Sequence, residues 1–216
     1  MSRVIAGIAG GRRLAVPPGT TTRPTSDRAR EGLFASLLSE LGSFDGARVL
    51  DLYAGSGAIG LEALSRGAER VLLVESDARA AAVIKANVQA VDLPGATVAV
   101  DRVERLLARP PAGAQAQAQA QAQAHDKARF DLVIADPPYA VTDSAVTRVL
   151  TLLEGGWLVD DALVVIERAT RSGQLDWPPA FLPSKSRRYG EATFWYGWYG
   201  GEAGAGHTGT ASRSKA

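Results

Sequence analysis

The 216-residue chain has no cysteine, one methionine and only two histidines. Without cysteine there is no disulfide, no thiolate metal site and no thiol nucleophile. Chemistry that begins by adding a thiolate to a pyrimidine ring is therefore closed. His125 and His207 lie beside a repeat and in a polar tail, and neither is read as catalytic. No bound metal is expected. No run approaches the roughly 18 uninterrupted apolar residues of a membrane helix. Met1-Ser2-Arg3-Val4-Ile5 lacks a charged-then-apolar leader pattern, so the expected location is cytoplasmic. A large charge of one sign is missing too: 24 basic residues face 23 acidic ones, for a net charge of +1. Whole-protein electrostatics thus do not announce nucleic acid. Local charge differs, because residues 1–30 carry Arg3, Arg12, Arg13, Arg23, Arg28 and Arg30 against the single acid Asp27.

What is present suffices for one packed domain, since 46% of the residues are apolar. Residues 3–8 and 12–16 flank Gly10-Gly11 and predict a small β-hairpin ended by Pro17-Pro18-Gly19. Thr25 or Ser26 can cap a helix to about Leu41, with Leu33, Phe34, Leu37, Leu38 and Leu41 at helical spacing. From Ala47 onward strands and helices alternate. Strands are expected at 48–52, 70–75, 97–100, 130–135 and 162–167, and helices at 57–65, 78–90, 103–108 and 143–153. The aromatic-rich 192–199 reads as a last strand, antiparallel to residues near 187–189. The expectation is an α/β, Rossmann-like, mostly parallel seven-stranded sheet with an antiparallel last strand, preceded by the hairpin and helix. The domain reading is 1–41 as an N-terminal extension, 42–199 as the main domain and 200–216 as a disordered tail. Five Gln-Ala repeats at 115–124 are read as a surface insertion, because burial would leave many amides unpaired. No coiled coil or exposed apolar helix face calls for an obligate partner, so a monomer is expected.

Asp51-Leu52-Tyr53-Ala54-Gly55-Ser56-Gly57-Ala58-Ile59-Gly60 is a strand end, a glycine turn and a helix start. Gly55 and Gly57 allow a sharp bend and close approach to a ligand, and Gly60 allows tight packing of helix on strand. Glu75 ends the next strand, where a carboxylate can accept hydrogen bonds from ribose hydroxyls. A dinucleotide would place its pyrophosphate at this helix start. A carboxylate at Asp51 would repel it, yet would attract the ammonium of S-adenosylmethionine. The Asp-x-x-x-Gly-x-Gly spacing resembles the first motif of class I methyltransferases. Asp101, with the Arg102 backbone N–H, is placed to meet an adenine. Asp101-x-x-Glu104 is also a helix-capping pattern, and both roles can hold.

Asp136-Pro137-Pro138-Tyr139 follows an apolar strand, and two prolines make the loop rigid. It resembles the Asp/Asn-Pro-Pro-Tyr signature of methyltransferases that act on amino groups conjugated to a ring or carbonyl. A carboxylate of Asp136 and the carbonyl of Pro137 can each accept one N–H, aiming the nitrogen lone pair, while Tyr139 stacks on a flat substrate. The signature alone leaves adenine N6, cytosine N4, guanine N2 and protein glutamine open.

The flanking residues narrow the choice. Arg3-Val4-Ile5-Ala6-Gly7, Gly11-Arg12-Arg13-Leu14 and Arg23-Pro24-Thr25-Ser26-Asp27-Arg28-Ala29-Arg30-Glu31 with Leu33-Phe34 resemble the RsmD-type small-subunit rRNA guanine-N2 methyltransferases. The likeness covers about residues 3–108 and 129–199. It implies S-adenosylmethionine as cofactor and one guanine of 16S rRNA, in a 30S particle or assembly intermediate, as substrate. Arg12, Arg13, Arg23, Arg28 and Arg30 would then bind phosphates, with surface ion pairs as the alternative. The target guanine would have to leave its stack to reach Asp136. Protein glutamine methyltransferases usually begin the signature with Asn and carry a larger helical N-terminal domain. A non-catalytic RNA-binding assembly factor would not need Asp51, Glu75 and Asp136 together.

Overall fold

Alternate residues of a strand face opposite sides of its sheet, and here both sides are apolar, so both must be covered. The computed structural model describes residues 2–18, 27–109, 111 and 128–200. The Gln-Ala repeats, Arg23 and the residues after 200 lie outside them. Seven strands form one sheet: β3 (Arg48–Leu52), β4 (Arg70–Glu75), β5 (Ala96–Val100), β6 (Phe130–Ala135), β7 (Leu158–Ala169), β8 (Phe181–Tyr189) and β9 (Ala192–Tyr199). Their order is β5-β4-β3-β6-β7-β9-β8. β3 to β7 are parallel, and β9 runs antiparallel between β7 and β8.

Helices α1 (Asp27–Leu41), α2 (Ala58–Ser65) and α3 (Ala78–Val91) cover one face. There Leu33, Leu61 and Ile84 pack on Val49, Leu73 and Ile134 of the strands. Helices α4 (Val103–Leu107) and α5 (Asp143–Leu153) cover the other, where Leu107 and Leu150 pack on Leu50, Val133 and Val164. Each such side chain, fully buried, is worth about 1.5–3 kcal/mol over leaving it in water. Among the described residues no helix is long and apolar enough to cross a membrane. Leu38, expected on the inner face of α1, is 44% exposed.

The N-terminal hairpin is smaller than the pattern suggested. Its ladder is limited to β1 (Ser2–Arg3) against β2 (Arg13–Leu14). The intervening N–H groups go to α2 instead: Ile5 and Ala6 donate to the carboxylate of Glu62 at 2.6 and 3.0 Å, and Ala9 donates to Ser65 Oγ at 2.9 Å. Glu62 is fully buried and also accepts from Arg66 Nε at 2.7 Å. β7 is longer than expected, because Asp160-Asp161 hid its first half. The register shifts between Phe130 and Leu132, where Asp161 takes a positive φ of 60°. β8 likewise begins at Phe181, well before the pairing foreseen near 187–189.

Asn87 ties these pieces together. It is 2% exposed, accepts from Ala15 N at 2.8 Å, and donates to Ala15 O at 2.9 Å and Ser56 O at 2.8 Å. One amide thus joins α3, the chain after β2 and the glycine turn. Asn87→Ala should cost about 3 kcal/mol of unfolding free energy in a urea titration, because it strands buried backbone groups. A loss below about 1 kcal/mol would mean that water replaces the amide.

Candidate active site

Parallel strands that cross over through helices leave their carboxyl ends at one edge, and loops from several strands meet there. The ends of β3, β4 and β6 bring Asp51, Tyr53, Gly55, Glu75, Asp136 and Pro138 around a cavity of about 400 Å³. That falls in the size range of small-molecule sites.

Asp51 is 2% exposed, and its Oδ2 accepts from Gly60 N at 2.9 Å. A Cβ on Gly60 would lie 2.7 Å from Val71 Cγ2 and 3.1 Å from that same carboxylate oxygen, so the helix approaches only because the residue is glycine. Burial raises the Asp51 pKa from 3.8 to about 7, and Asp136 and Glu75 push it the same way against the Gly60 bond. A cation entering the cavity would relieve this.

Glu75 accepts from Gly55 N at 2.9 Å and from Asp77 N at 2.8 Å. It holds the glycine turn from β4 and still has lone pairs for a ligand. Gly55 (φ 57°) lines the cavity. Gly57 (φ 76°) does not. A Cβ there would meet Ile84 Cγ2 at 3.1 Å, so this glycine turns the chain and packs on the core rather than meeting a ligand. Tyr53, not singled out in the sequence, takes a positive φ of 61° at the cavity wall. Such conformations cost energy and collect at functional sites.

Asp101 and Arg102 are placed otherwise. Neither is among the described residues that line the cavity. The Asp101 carboxylate accepts from Arg102 N at 2.7 Å and from the Arg105 side chain, and Arg109 lies 3.6 Å away. The bond from Arg105 is the main cause that holds its pKa below the usual value. The capping reading is corrected: Arg102 occupies the N-cap of α4, and Asp101 stands one residue before it.

Asp136 and Pro138 line the first cavity, whereas Tyr139 lines a second of about 320 Å³ with Ala169, Thr170, Arg171, Arg188 and Glu191. The Pro-Pro loop is therefore a partition. Val141 N donates to Pro138 O at 2.8 Å, Thr142 caps α5, and Arg168 grips Asp143 at 2.6 Å. Tyr139 is 52% exposed, and Arg171 lies 5.9 Å from its ring centroid. Partial burial, then the carboxylates of Glu167, Asp136 and Glu191, raise its pKa, so the hydroxyl keeps its proton.

The N-terminal arginines divide. Arg12, Arg13 and Arg28 are exposed. Arg12 donates to the carbonyls of Ala90, at 3.3 Å, and Val91 at the end of α3, so it helps dock the hairpin. Arg30 is the correction. It is 1% exposed, bonded to Ser2 Oγ, Arg3 O and Asp27 Oδ1, and lines the first cavity; no phosphate on the surface can reach it.

Comparison with known proteins places this arrangement. The sequence model of the family described as "Conserved hypothetical protein 95" matches residues 2–198. The chain is 37% identical over 167 residues to "Putative rRNA methyltransferase YlbH" of Bacillus subtilis, covering 76% of this chain and 81% of that protein. It is 34% identical over 172 residues to the "Ribosomal RNA small subunit methyltransferase D" of Escherichia coli, covering 79% and 76%. The solved structure of "Putative methyltransferase yhhF" from Escherichia coli superimposes with a TM-score of 0.74 at 28% identity, over 93% of this chain and 98% of that one.

The Asp51 shift carries a stability signature. Its folded pKa of about 7 lies above the ordinary 3.8. Between those values the folded protein holds a proton that the unfolded chain lacks. The contribution is therefore complete below about pH 4 and lost as pH rises through about 7. Unfolding free energy of the unliganded protein, minus that of Asp51→Asn, should fall between pH 5 and 8 by about 1 to 3 kcal/mol. Urea titrations that give parallel profiles would show that Asp51 is ionised throughout.

Proposed function

Because the chain belongs to the conserved hypothetical protein 95 family, the RsmD-type family whose motifs it carries, we propose that it methylates the exocyclic N2 of a guanine in 16S rRNA. The methyl donor is S-adenosylmethionine, and the substrate is a 30S particle or an assembly intermediate. The observation that carries this reading is the partition: Asp136 faces the cavity below the glycine turn while Tyr139 faces the next one. A donor and a flat acceptor can thus meet across one rigid loop.

The donor set of the first cavity suits this cofactor. Asp51 offers a buried carboxylate to an ammonium, Glu75 a carboxylate to ribose hydroxyls, and Ala54, Pro17 and Ile59 apolar wall. When bound, S-adenosylmethionine supplies a methyl group on a positively charged sulfur. The acceptor nitrogen of guanine is a poor nucleophile because its lone pair is delocalised into the ring. Asp136 and the carbonyl of Pro137 accept its two N–H groups and favour the pyramidal geometry that frees the lone pair. As the nitrogen takes the methyl group, the methyl–sulfur bond would break to leave a neutral thioether, the nitrogen would become acidic, and Asp136 would take its proton. Tyr139 offers a face on which an extruded base can stack, worth about 1–3 kcal/mol. Asp101 Oδ1 is taken by Arg102 N and Arg105, while Oδ2 keeps lone pairs that could accept from an adenine amino group as a secondary contact.

Labelled S-adenosylmethionine and 30S particles from an unmethylated strain test the reaction, with nucleoside digestion to find N2-methylguanosine. Asp136→Ala should lower turnover by about 10²- to 10⁴-fold while leaving affinity for S-adenosylhomocysteine within a few-fold. Comparable loss of cofactor binding in Asp136→Ala and Glu75→Ala would refute this division of labour.

Exposed Arg12, Arg13 and Arg28 remain the described candidates for phosphate binding, and Arg13 and Arg28 can be replaced without touching the bonds from Arg12 to α3. Replacing both with Ala should flatten the salt dependence of particle binding by about one unit of log–log slope per phosphate no longer neutralised. An unchanged slope would leave them as solvated surface charges.

A further inference from the structure

We propose that Glu191 and Arg188 read the target base as guanine, the carboxylate accepting from its N1–H and the guanidinium donating to its O6. The assignment rests on the amino-methylation reading above and supplies what selects one amine over the others. The candidates differ in what stands beside the reacting nitrogen. Adenine N6 is flanked by the ring acceptor N1, and cytosine N4 by the ring acceptor N3. A glutamine amide has a carbonyl oxygen there. Guanine N2 has a donor next to it, N1–H, followed along the same edge by the acceptor O6. An extruded base is read along this edge. A carboxylate and then a cation beside the amine therefore match guanine, and would leave an acceptor facing an acceptor in the other three.

The second cavity holds such a pair. Tyr139, Ala169, Thr170, Arg171, Arg188 and Glu191 line about 320 Å³, a volume within the range of small-molecule sites. Its wall begins at the residue after Pro138, which lines the first cavity. The carboxylates of Asp136 and Glu191 both bear on the Tyr139 phenol and help raise its pKa, so the two acids share that neighbourhood. Glu191 is exposed, yet its backbone is tied down. Its carbonyl accepts from Thr170 N at 2.8 Å, which fastens the β8–β9 turn to the end of β7. Thr170 Oγ1 and Thr193 Oγ1, 3.0 Å apart, bind the same two segments. Arg188 Nε donates to Gly190 O at 3.0 Å within that turn, which fixes the root of the guanidinium and leaves its terminal nitrogens as donors. A base stacked on Tyr139 with its amine at Asp136 presents N1–H and O6 to this turn. Arg171, exposed and 5.9 Å from the Tyr139 ring centroid, can cover the outer face of that base. Arg187, the neighbour of Arg188 on β8, is not among the described residues that line the cavity.

The test uses 30S particles reconstituted with guanine or with 2,6-diaminopurine at the methylated position of the 16S rRNA. Diaminopurine keeps the 2-amine but carries an acceptor at N1 and a donor at C6, so both neighbouring groups are reversed. In single-turnover methyl transfer the unmodified chain should prefer guanine about ten- to a hundredfold. Glu191→Ala should lower the rate on guanine by about that factor and leave the rate on diaminopurine within about twofold, so that the preference collapses. Glu191→Gln, whose amide can donate to N1 of diaminopurine, should act on that base faster than Glu191→Ala does. Arg188→Met should narrow the preference in the same sense, and Arg187→Ala should keep it. A preference near one in the unmodified chain overturns the assignment without needing any variant to fold. An equal loss on both particles in Glu191→Ala or Arg188→Met, the mark of a structural or phosphate-binding role, overturns it too. If the unmodified chain transfers no methyl group to the guanine particle, the amino-methylation reading itself falls; transfer with an unchanged preference in either variant sinks this assignment alone.

Discussion

The carboxylate of Asp51, buried near the end of β3 and held by the N–H of Gly60, is the constraint around which the rest of the site is arranged. To make that bond, α2 must come down onto β3 and β4, closer than any side chain at position 60 would permit. The approach forces the tight turn of Gly55 to Gly57, and Glu75 on β4 then pins it through Gly55 N–H. A buried carboxylate with one backbone donor is under-compensated, as its raised pKa reports. The same deficit makes the site receptive to a positive group.

A second set of polar bonds closes the cavity from outside the sheet. Glu62, at the buried heart of α2, holds the N–H groups of Ile5 and Ala6, and also Arg66, which lies 4.8 Å from the ring centroid of Phe34 on α1. Hairpin, α1 and α2 thereby share one charged clamp sealed by aromatic and aliphatic side chains. A segment attached in this way cannot swing freely over the substrate. Its exposed Arg13 and Arg28 can still face a large polyanion while its inner side shapes the small-molecule cavity.

The rigid loop at Asp136 separates two cavities. Its two sides open to cavities of different character, one rich in carboxylates and one with two arginines, a glutamate and a tyrosine face. In the proposed reaction, donor and acceptor on either side of this wall would gain orientation that neither could hold in water. The antiparallel β8–β9 pair closes the far side, since it brings Arg188 and Glu191 beside the end of β7.

Local patterns sufficed for much of this. The alternation of apolar runs, the glycine turn and the Asp-Pro-Pro-Tyr loop each depend on residues adjacent in the chain, so the parallel sheet and the positions of Asp51, Glu75 and Asp136 at one edge could be read directly. What escaped depends on what packs against what. Arg30 sits among Asp27, Arg28 and Glu31 and reads as one more surface charge; only the docking of α1 against the hairpin turns it inward. Asp101 reads as an N-cap because its spacing to Glu104 is right, but Arg105 and Arg109, one and two turns on, claim the carboxylate. The hairpin reads as two strands, yet α2 takes its N–H groups, and Asp160-Asp161 looks like a break in a strand that tolerates it through a bulge. The fold class, the glycine turn and the rigid Asp-Pro-Pro-Tyr loop were legible in the chain because covalent neighbours carry those signals. Tertiary structure alone decided which charges face solvent and which face the cavity, because a residue's burial is set by elements distant in the chain.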